Sequence, residues 1–288
     1  QIEWPGNATP DPAKHFVTTS VNKLESEAAF IAQINRRLHK LPVKSRRLVV
    51  FAHGYNNNFA ESLYRTVQIQ NDLSERSVTI LFSWPSAGKG FAYLRDRDSV
   101  LYSRSDLANL LELVARTEAR EVLISAHSVG SLLTMEALGE VVARRGRSGL
   151  SHIAAIALMS PDIDVDVFRQ QAARIAPLPQ PFIVFTSTKD KALRFSAKLS
   201  SDQVRLGSLP DPTVLKDLDI TFIDTTAFAE QGDLNHLTAV TSPEVLAFLQ
   251  EIGSVKDLLD SDVSINSGVA AGTVDYFQNA TEVVLSAN

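Results

Sequence analysis

The chain has 288 residues, of which 44% are apolar and 21% charged, and both fractions are ordinary for globular proteins. Its net charge is −5, so the chain lacks the excess of basic residues that is typical of nucleic-acid binding, and no nucleic-acid partner is expected. The absence of cysteine excludes disulfides, thiolate metal sites and a cysteine nucleophile. The longest apolar run, residues 153–159, is far shorter than the roughly 20 residues of a transmembrane segment.

The N-terminal part is predicted to be an arm followed by a helix. Residues 1–14 show no periodicity, and residues 15–20 are predicted to form a short edge strand. Apolar residues at helical spacing predict a helix over residues 26–41, which Pro42 ends.

From there the chain alternates between β-rich apolar runs and helical patterns. The first run is apolar throughout, as is typical of a strand that is buried on both faces. Predicted strands cover residues 47–52, 78–83, 122–126, 153–159, 182–186 and, as the last one, 220–223. Predicted helices cover residues 58–73, 99–117, 129–143 and 243–252, with a further helical pattern from residue 165 and another helix over 273–286.

Strands separated by helices indicate an α/β fold with a mostly parallel, doubly wound sheet. Residues 1–42 are predicted to be an N-terminal arm and helix, and residues 43–252 the core. Residues 253–288 are expected to pack on that core as a C-terminal extension. No linker separates a second domain, so a single domain is expected overall.

One strand leads directly into a pentapeptide that is typical of a nucleophile elbow. Residues 122–126 are followed by His127-Ser128-Val129-Gly130 and then by a helix. A serine on such a strained turn needs small neighbours, and Gly130 supplies one while Ala126 stands where glycine is usual. The helix offers the N–H of Val129 to a developing oxyanion. The alternative is that Ser128 merely caps the helix.

A second backbone donor is expected in the loop after the first strand, which reads His53-Gly54-Tyr55-Asn56-Asn57. Gly54 permits a close approach of the chain, and the N–H of Tyr55 is the first candidate donor, with Asn56 second. The alternative is an ordinary turn in which asparagine caps the next helix.

The histidines around these segments are not predicted to bind metal. His53 is expected to brace the loop, and His127 to pack away from Ser128. Together with His236 they show no metal-ligand spacing, so neither a metal nor any other cofactor is expected. The remaining histidines are interpreted as surface or structural residues: His15, His39 and His152.

Three segments together resemble a known family. His53-Gly54-Tyr55-Asn56, Phe82-Ser83-Trp84-Pro85-Ser86 and the pentapeptide at 126–130 are similar to the HGYN, FSWPS and AHSMG motifs of a largely uncharacterised bacterial α/β-hydrolase family. Val129 replaces methionine, a departure that leaves the backbone N–H in place. The resemblance covers about residues 45–250 and implies an α/β-hydrolase fold and a serine-hydrolase mechanism, but no particular substrate.

α/β-Hydrolases place their triad in the order serine, acid, histidine. His236 is the histidine that follows a plausible acid after Ser128. The resemblance places the acid at Asp190, after the strand 182–186, and Asp162 is the rival. Two further carboxylates stay open as acids: Asp224 and Asp233.

These residues predict a serine hydrolase that cleaves carboxylic esters, small acyl esters being its substrates. Residues 160–164 leave little or no room for a cap domain, so short to medium acyl chains are expected. Alternatives are a thioesterase, amidase or acyltransferase with the same triad, or a non-catalytic binding protein of the same fold. We expect a soluble protein, either cytoplasmic or exported with a signal removed before Gln1; the sequence indicates no oligomeric state.

Overall fold

The computed structural model describes residues 9, 11, 13, 17–72, 77–89, 92–199, 203–229, 265–266, 270–277 and 280–287. Its helices are α1 (Glu27–Leu38), α2 (Phe59–Asp72), α3 (Tyr93–Val114), α4 (Val129–Arg145), α5 (Val165–Ile175) and α6 (Lys191–Leu199). Its strands are β1 (Arg47–Ala52), β2 (Val78–Phe82), β3 (Glu121–His127), β4 (Ile153–Met159), β5 (Phe182–Thr186), β6 (Thr221–Asp224), β7 (Ile265–Asn266), β8 (Ala270–Phe277) and β9 (Ala280–Ala287).

Within these residues the strands form one sheet in the order β2-β1-β3-β4-β5-β6-β9-β8-β7. Neighbours from β2 to β9 are parallel, whereas β8 and β7 each run antiparallel to their neighbours. Helices flank the parallel part, and the predicted α/β fold with a mostly parallel sheet is confirmed. Residues 160–164 alone connect β4 to α5, so no cap domain is inserted at that point.

The parallel strands end at a common edge of the sheet, and this edge positions the site. Ala52 is paired with Phe82 on one side and with Ala126 on the other. His127 is paired with Met159, and further along Thr186 is paired with Asp224. The loops that follow these strands therefore meet outside the carboxyl ends, where open α/β sheets bind their ligands.

Helix α4 occupies the centre of the packing. Ten of its residues are buried, from Val129 to Val141, and it contacts both α3 and α5. Because a helix that is apolar around most of its circumference must be enclosed, α4 fixes the position of the chain at its N-terminus. Its C-terminus is defined by Gly146, whose φ of 65° is easily adopted by glycine.

Several predicted elements differ from those observed. Helix α3 begins at Tyr93 rather than at residue 99, and α6 was not predicted. The predicted helix over 273–286 is wrong, because β8 and β9 form an antiparallel hairpin there. For the same reason β6 is not the last strand: β9 extends the parallel sheet beside it.

The predicted edge strand near the N-terminus and the predicted helix 243–252 have different outcomes. Residues 17–20 are irregular, so the predicted edge strand is absent from the described part of 15–20. The predicted helix 243–252 lies outside the described residues. Among the helices that are described, none is both long and apolar enough to cross a membrane.

Candidate active site

Ser128 lies at the sharp turn between β3 and α4. Its φ of 55° and ψ of −126° are rarely adopted by a residue with a side chain. The turn is held by its backbone, since Ser128 N–H donates to Met159 O at 3.0 Å and Asp162 N–H donates to Ser128 O at 3.2 Å. The surrounding structure thus imposes a strained conformation on this serine.

The strain is not explained by helix capping. The first turn of α4 is fully described, and the side chain of Ser128 makes no capping hydrogen bond there. A serine that caps would accept a hydrogen bond from a backbone N–H two or three residues further on. Capping therefore does not account for serine at this position.

Small residues allow the elbow to approach the end of β1. A Cβ added to Gly130 would lie 2.6 Å from Ala52 O and still closer to His53 O, both of which are backbone atoms. A Cβ added to Gly54 would contact the ring of His127 and lie 3.0 Å from Ser128 Cβ. The loop after β1 and the elbow are thus in direct contact at two glycines.

His53 and Trp84 hold the loop after β1 against the loop after β2. Their rings are stacked, with centroids 4.8 Å apart and an angle of 9° between the planes. Trp84 Nε1–H donates to His53 O at 2.8 Å, while the ring nitrogens of His53 lie 2.8 Å from Gly54 O and 3.2 Å from Trp84 O. Burial lowers the pKa of His53, which favours the neutral ring, and a neutral ring donates one of these two hydrogen bonds while it braces the two motifs.

The two candidate donors in the loop after β1 differ in their surroundings. The N–H of Asn56 is already used, because it donates to Asp96 Oδ2 at 3.3 Å. Asn56 also has a positive φ, of 59°. Asn56 is therefore the weaker of the two candidates for an oxyanion-hole donor. Across the elbow, the N–H of Val129 is the first of α4, at a position that has no acceptor within a helix.

The two candidate acids, Asp190 and Asp162, are both buried, but their partners differ. Asp162 accepts from Tyr93 Oη–H at 2.8 Å and from Ser196 Oγ–H at 2.6 Å, and Arg205 Nε lies 3.3 Å from its Oδ1. Arg205 is itself 1% exposed, so this ion pair is enclosed by protein. Asp162 is therefore held in a buried cluster with Tyr93, Ser196 and Arg205.

Asp190 lies four residues after the end of β5 and immediately before α6. Its Oδ1 accepts from Leu193 N–H at 3.0 Å, which caps the helix. Asp224 ends β6 and accepts from Thr226 N–H at 2.8 Å. His236 and Asp233 lie outside the described residues, so the distance between acid and base stays a prediction.

Residues 26–253 match the model of a family described as alpha/beta hydrolase of unknown function (DUF900). The chain belongs to this α/β-hydrolase family. The match begins at Ser26, whose side chain caps α1, and so includes a helix that the motif resemblance did not cover. The α/β-hydrolase identity implied by the three motifs is confirmed. A comparison with curated proteins finds no match.

Solved structures similar to this α/β hydrolase include a lipase and esterases. Aspergillus fumigatus lipase B matches with a TM-score of 0.44 and 12% identity, over 70% of this chain and 51% of the lipase. The chain thus spans about half the length of that protein. A hyperthermophilic esterase from Pyrobaculum calidifontis matches with a TM-score of 0.39 and 13% identity, over 82% of this chain and 95% of the esterase. Thermogutta terrifontis esterase 2, phosphonylated by sarin, matches with a TM-score of 0.37 and 14% identity, over 74% and 87%.

The motif reading of this α/β hydrolase missed polar residues beneath the site. Asp96 is fully buried on α3, in a segment interpreted as loop from the sequence. Its spacing from buried Tyr93 and Val100 places all three on one helix face, and a carboxylate on an apolar face is the signal that could have found it. Arg205 has no comparable signal, since its partner Asp162 is distant in sequence.

Proposed function

We propose that the protein is a serine hydrolase that cleaves carboxylic esters through an acyl-enzyme. The observation that carries the proposal is the conformation of Ser128: a non-glycine residue with φ of 55°, at the N-terminus of a buried helix, without a capping bond. Strained backbone of this kind persists where a fold holds it for function. Membership of an α/β-hydrolase family supports the same conclusion.

In the proposed mechanism, Ser128 Oγ attacks the acyl carbonyl while His236 accepts its proton. Asp190 holds the imidazole in the required tautomer and stabilises the imidazolium that forms. The N–H groups of Val129 and Tyr55 bind the tetrahedral oxyanion. The alcohol then leaves with the proton from His236, and water releases the acyl group with His236 again as base.

The short connection between β4 and α5 supports a preference for short or medium acyl chains. Residues 160–164 provide no inserted cap whose apolar side chains could enclose a long chain. Each buried CH₂ group would contribute about 0.8 kcal/mol to binding, and a long chain needs a surface to realise this energy. The same triad could act on thioesters or amides, so these are included in the substrate screen.

The experiment combines labelling with a substrate screen. A fluorophosphonate probe should label the wild-type protein at Ser128, and Ser128→Ala should lose both labelling and several orders of magnitude in kcat with little change in Tm. Ser103→Ala is the control, because Ser103 is a buried serine on α3 that bonds Ser99 O at 2.8 Å. Absence of labelling, or more than a tenth of wild-type turnover in Ser128→Ala, would refute the proposal. A non-catalytic binding protein would show the first result.

A further inference from the structure

A single buried carboxylate joins the loops that follow β1 and β2. Asp96 has no exposed surface, and its Oδ2 accepts from Ser86 Oγ–H at 2.6 Å and from Asn56 N–H at 3.3 Å. Its Oδ1 accepts from Ala87 N–H at 2.7 Å. One side chain on α3 thus binds the last residue of the FSWPS motif and the asparagine of the HGYN motif.

Hydrogen bonds hold the two peptide groups on either side of Tyr55. The carbonyl of Gly54, in the same peptide group, accepts from Asn57 Nδ2 at 3.3 Å and lies 2.8 Å from His53 Nδ1. The next peptide group is held on both sides, because Tyr55 O accepts from Asn57 Nδ2 at 2.8 Å and Asn56 N–H donates to Asp96. Since N–H and C=O point in opposite directions in a trans peptide, these bonds fix the direction of the Tyr55 N–H.

Asp96 is the member of this arrangement that lies outside the loop. His53 and Asn57 belong to the loop and can move with it, whereas Asp96 is anchored on a 22-residue helix that packs against α4. Asn56 is held at a positive φ, which a residue with a side chain adopts only against a cost. The hydrogen bond from its N–H to Asp96 Oδ2 favours that conformation.

We propose that Asp96 is a positioning residue for the oxyanion hole: through Asn56 and the Ser86–Ala87 segment it holds the Tyr55 N–H in its catalytic direction. This inference rests on the proposed function, because it assigns Tyr55 as a donor to the same reaction. It also gives the FSWPS motif a role, because Ser86 at its end and the following Ala87 both bind Asp96 beside Asn56.

The test compares Asp96→Asn and Asp96→Ala with wild type, using Asp98→Ala as the matched control. Asp98 is an exposed carboxylate on the same helix, and its removal should change nothing. The number of active sites is titrated with the fluorophosphonate probe, so that kcat refers to folded enzyme only. A trifluoromethyl ketone, whose serine adduct carries an oxyanion, measures binding of the transition-state geometry.

For Asp96→Ala we expect kcat per titrated site to fall by about 10²-fold with unchanged KM, the size of losing one oxyanion-hole donor. The inhibition constant of the trifluoromethyl ketone should rise by the same factor. In Asp96→Asn kcat should fall less than in Asp96→Ala, because the amide keeps one acceptor oxygen for the two backbone N–H groups, whereas alanine has none. A purely structural role would lower Tm and the number of titrated sites without changing kcat per site.

An Asp96→Asn or Asp96→Ala protein with kcat per site equal to or above wild type would overturn the inference. If neither variant folds, Ser86→Ala decides: a lower kcat at unchanged KM supports the inference, and an unchanged kcat overturns it. The proposed function fails separately, by absence of labelling in the wild type or by turnover in Ser128→Ala. A protein with an inactive Ser128→Ala and a fully active Asp96→Ala would therefore refute the positioning role alone.

Discussion

Replacement of Asp190 and of Asp162 by asparagine, one at a time, should distinguish the proposed catalytic acid from the aspartate that pairs with Arg205. Asp190→Asn keeps the cap of α6, because asparagine accepts from Leu193 N–H as well as aspartate does. The variant should therefore fold normally, but asparagine stabilises the wrong imidazole tautomer, and kcat should fall by about 10⁴-fold. Asp162→Asn should have the opposite effect.

The effect at Asp162 follows from its enclosed ion pair with Arg205. Both side chains are at most 3% exposed, so a neutral residue at 162 leaves the Arg205 charge buried without its counterion. Breaking a buried pair in this way costs about 3–5 kcal/mol of unfolding free energy. At about 2–4 °C per kcal/mol for chains near this size, Tm should fall by roughly 6–20 °C.

The assay measures both properties on both variants. Ester hydrolysis is followed well below the Tm of the weaker variant, with active sites titrated, and unfolding is followed by heating. We expect Asp190→Asn to be stable and inactive, and Asp162→Asn to be destabilised but active at low temperature. A stable, inactive Asp162→Asn together with an active Asp190→Asn would refute the assignment and place the acid after β4.

Three further predictions concern the elbow, access to the site and pH. Gly130→Ala should lower stability by about 1–3 kcal/mol and reduce kcat, since its Cβ meets backbone carbonyls at the end of β1. Gly139→Ala on the same helix is the control: its Cβ meets only Arg174 Cδ, at 4.0 Å, and should stabilise α4 by up to about 1 kcal/mol. Equal stabilities in urea would contradict this. Activity over an ester chain-length series should peak at short or medium chains and show no jump above the solubility limit of the substrate; preference for long chains with interfacial activation would contradict the inference drawn from the short connection between β4 and α5. Burial lowers the pKa of His53 and His152 below 6.5, so the unfolded chain binds more protons and stability should fall as the pH falls through 6.5. The free energy of unfolding, measured in urea between about pH 7.5 and 5.5, should depend less on pH in His152→Gln than in wild type. An unchanged dependence on pH would contradict this prediction.

The parallel strands could be predicted from the sequence because each is a continuous apolar run between turn residues. The runs 47–52, 153–159 and 182–186 match β1, β4 and β5 in their bounds. The elbow was equally accessible, since a strand, a serine between small residues and a helix follow one another without interruption. The local sequence pattern alone is therefore enough to predict these strands and the turn at Ser128.

The C-terminal hairpin was misread because its apolar residues also fit a helical spacing. Thr273, Val274 and Val283 are β-branched, a composition that favours strands, and Val283 is fully buried beside β6. Its pairing partner lies about sixty residues earlier, at Thr221–Asp224. Such long-range pairing overrides a local helical pattern, and no short window of sequence contains it.

The polar residues under the site depend on tertiary contacts in the same way. Asp96 could have been suspected from its helix face, but its three acceptor bonds arise from two separate loops. The choice between Asp162 and Asp190 was open from the sequence because both follow strands of the sheet. The ion pair that distinguishes the surroundings of Asp162 comes from Arg205, in a segment after α6, and no local pattern shows it.

The position of β9 has a consequence for how the chain folds during synthesis. β6 lies between β5 and β9, and β9 consists of residues 280–287, so one edge of β6 has no partner until those residues have been made. An unpaired strand edge is a template for pairing with other chains. A nascent chain therefore exposes this edge to aggregation until β9 pairs with it, and a chain cut before residue 280 keeps it exposed.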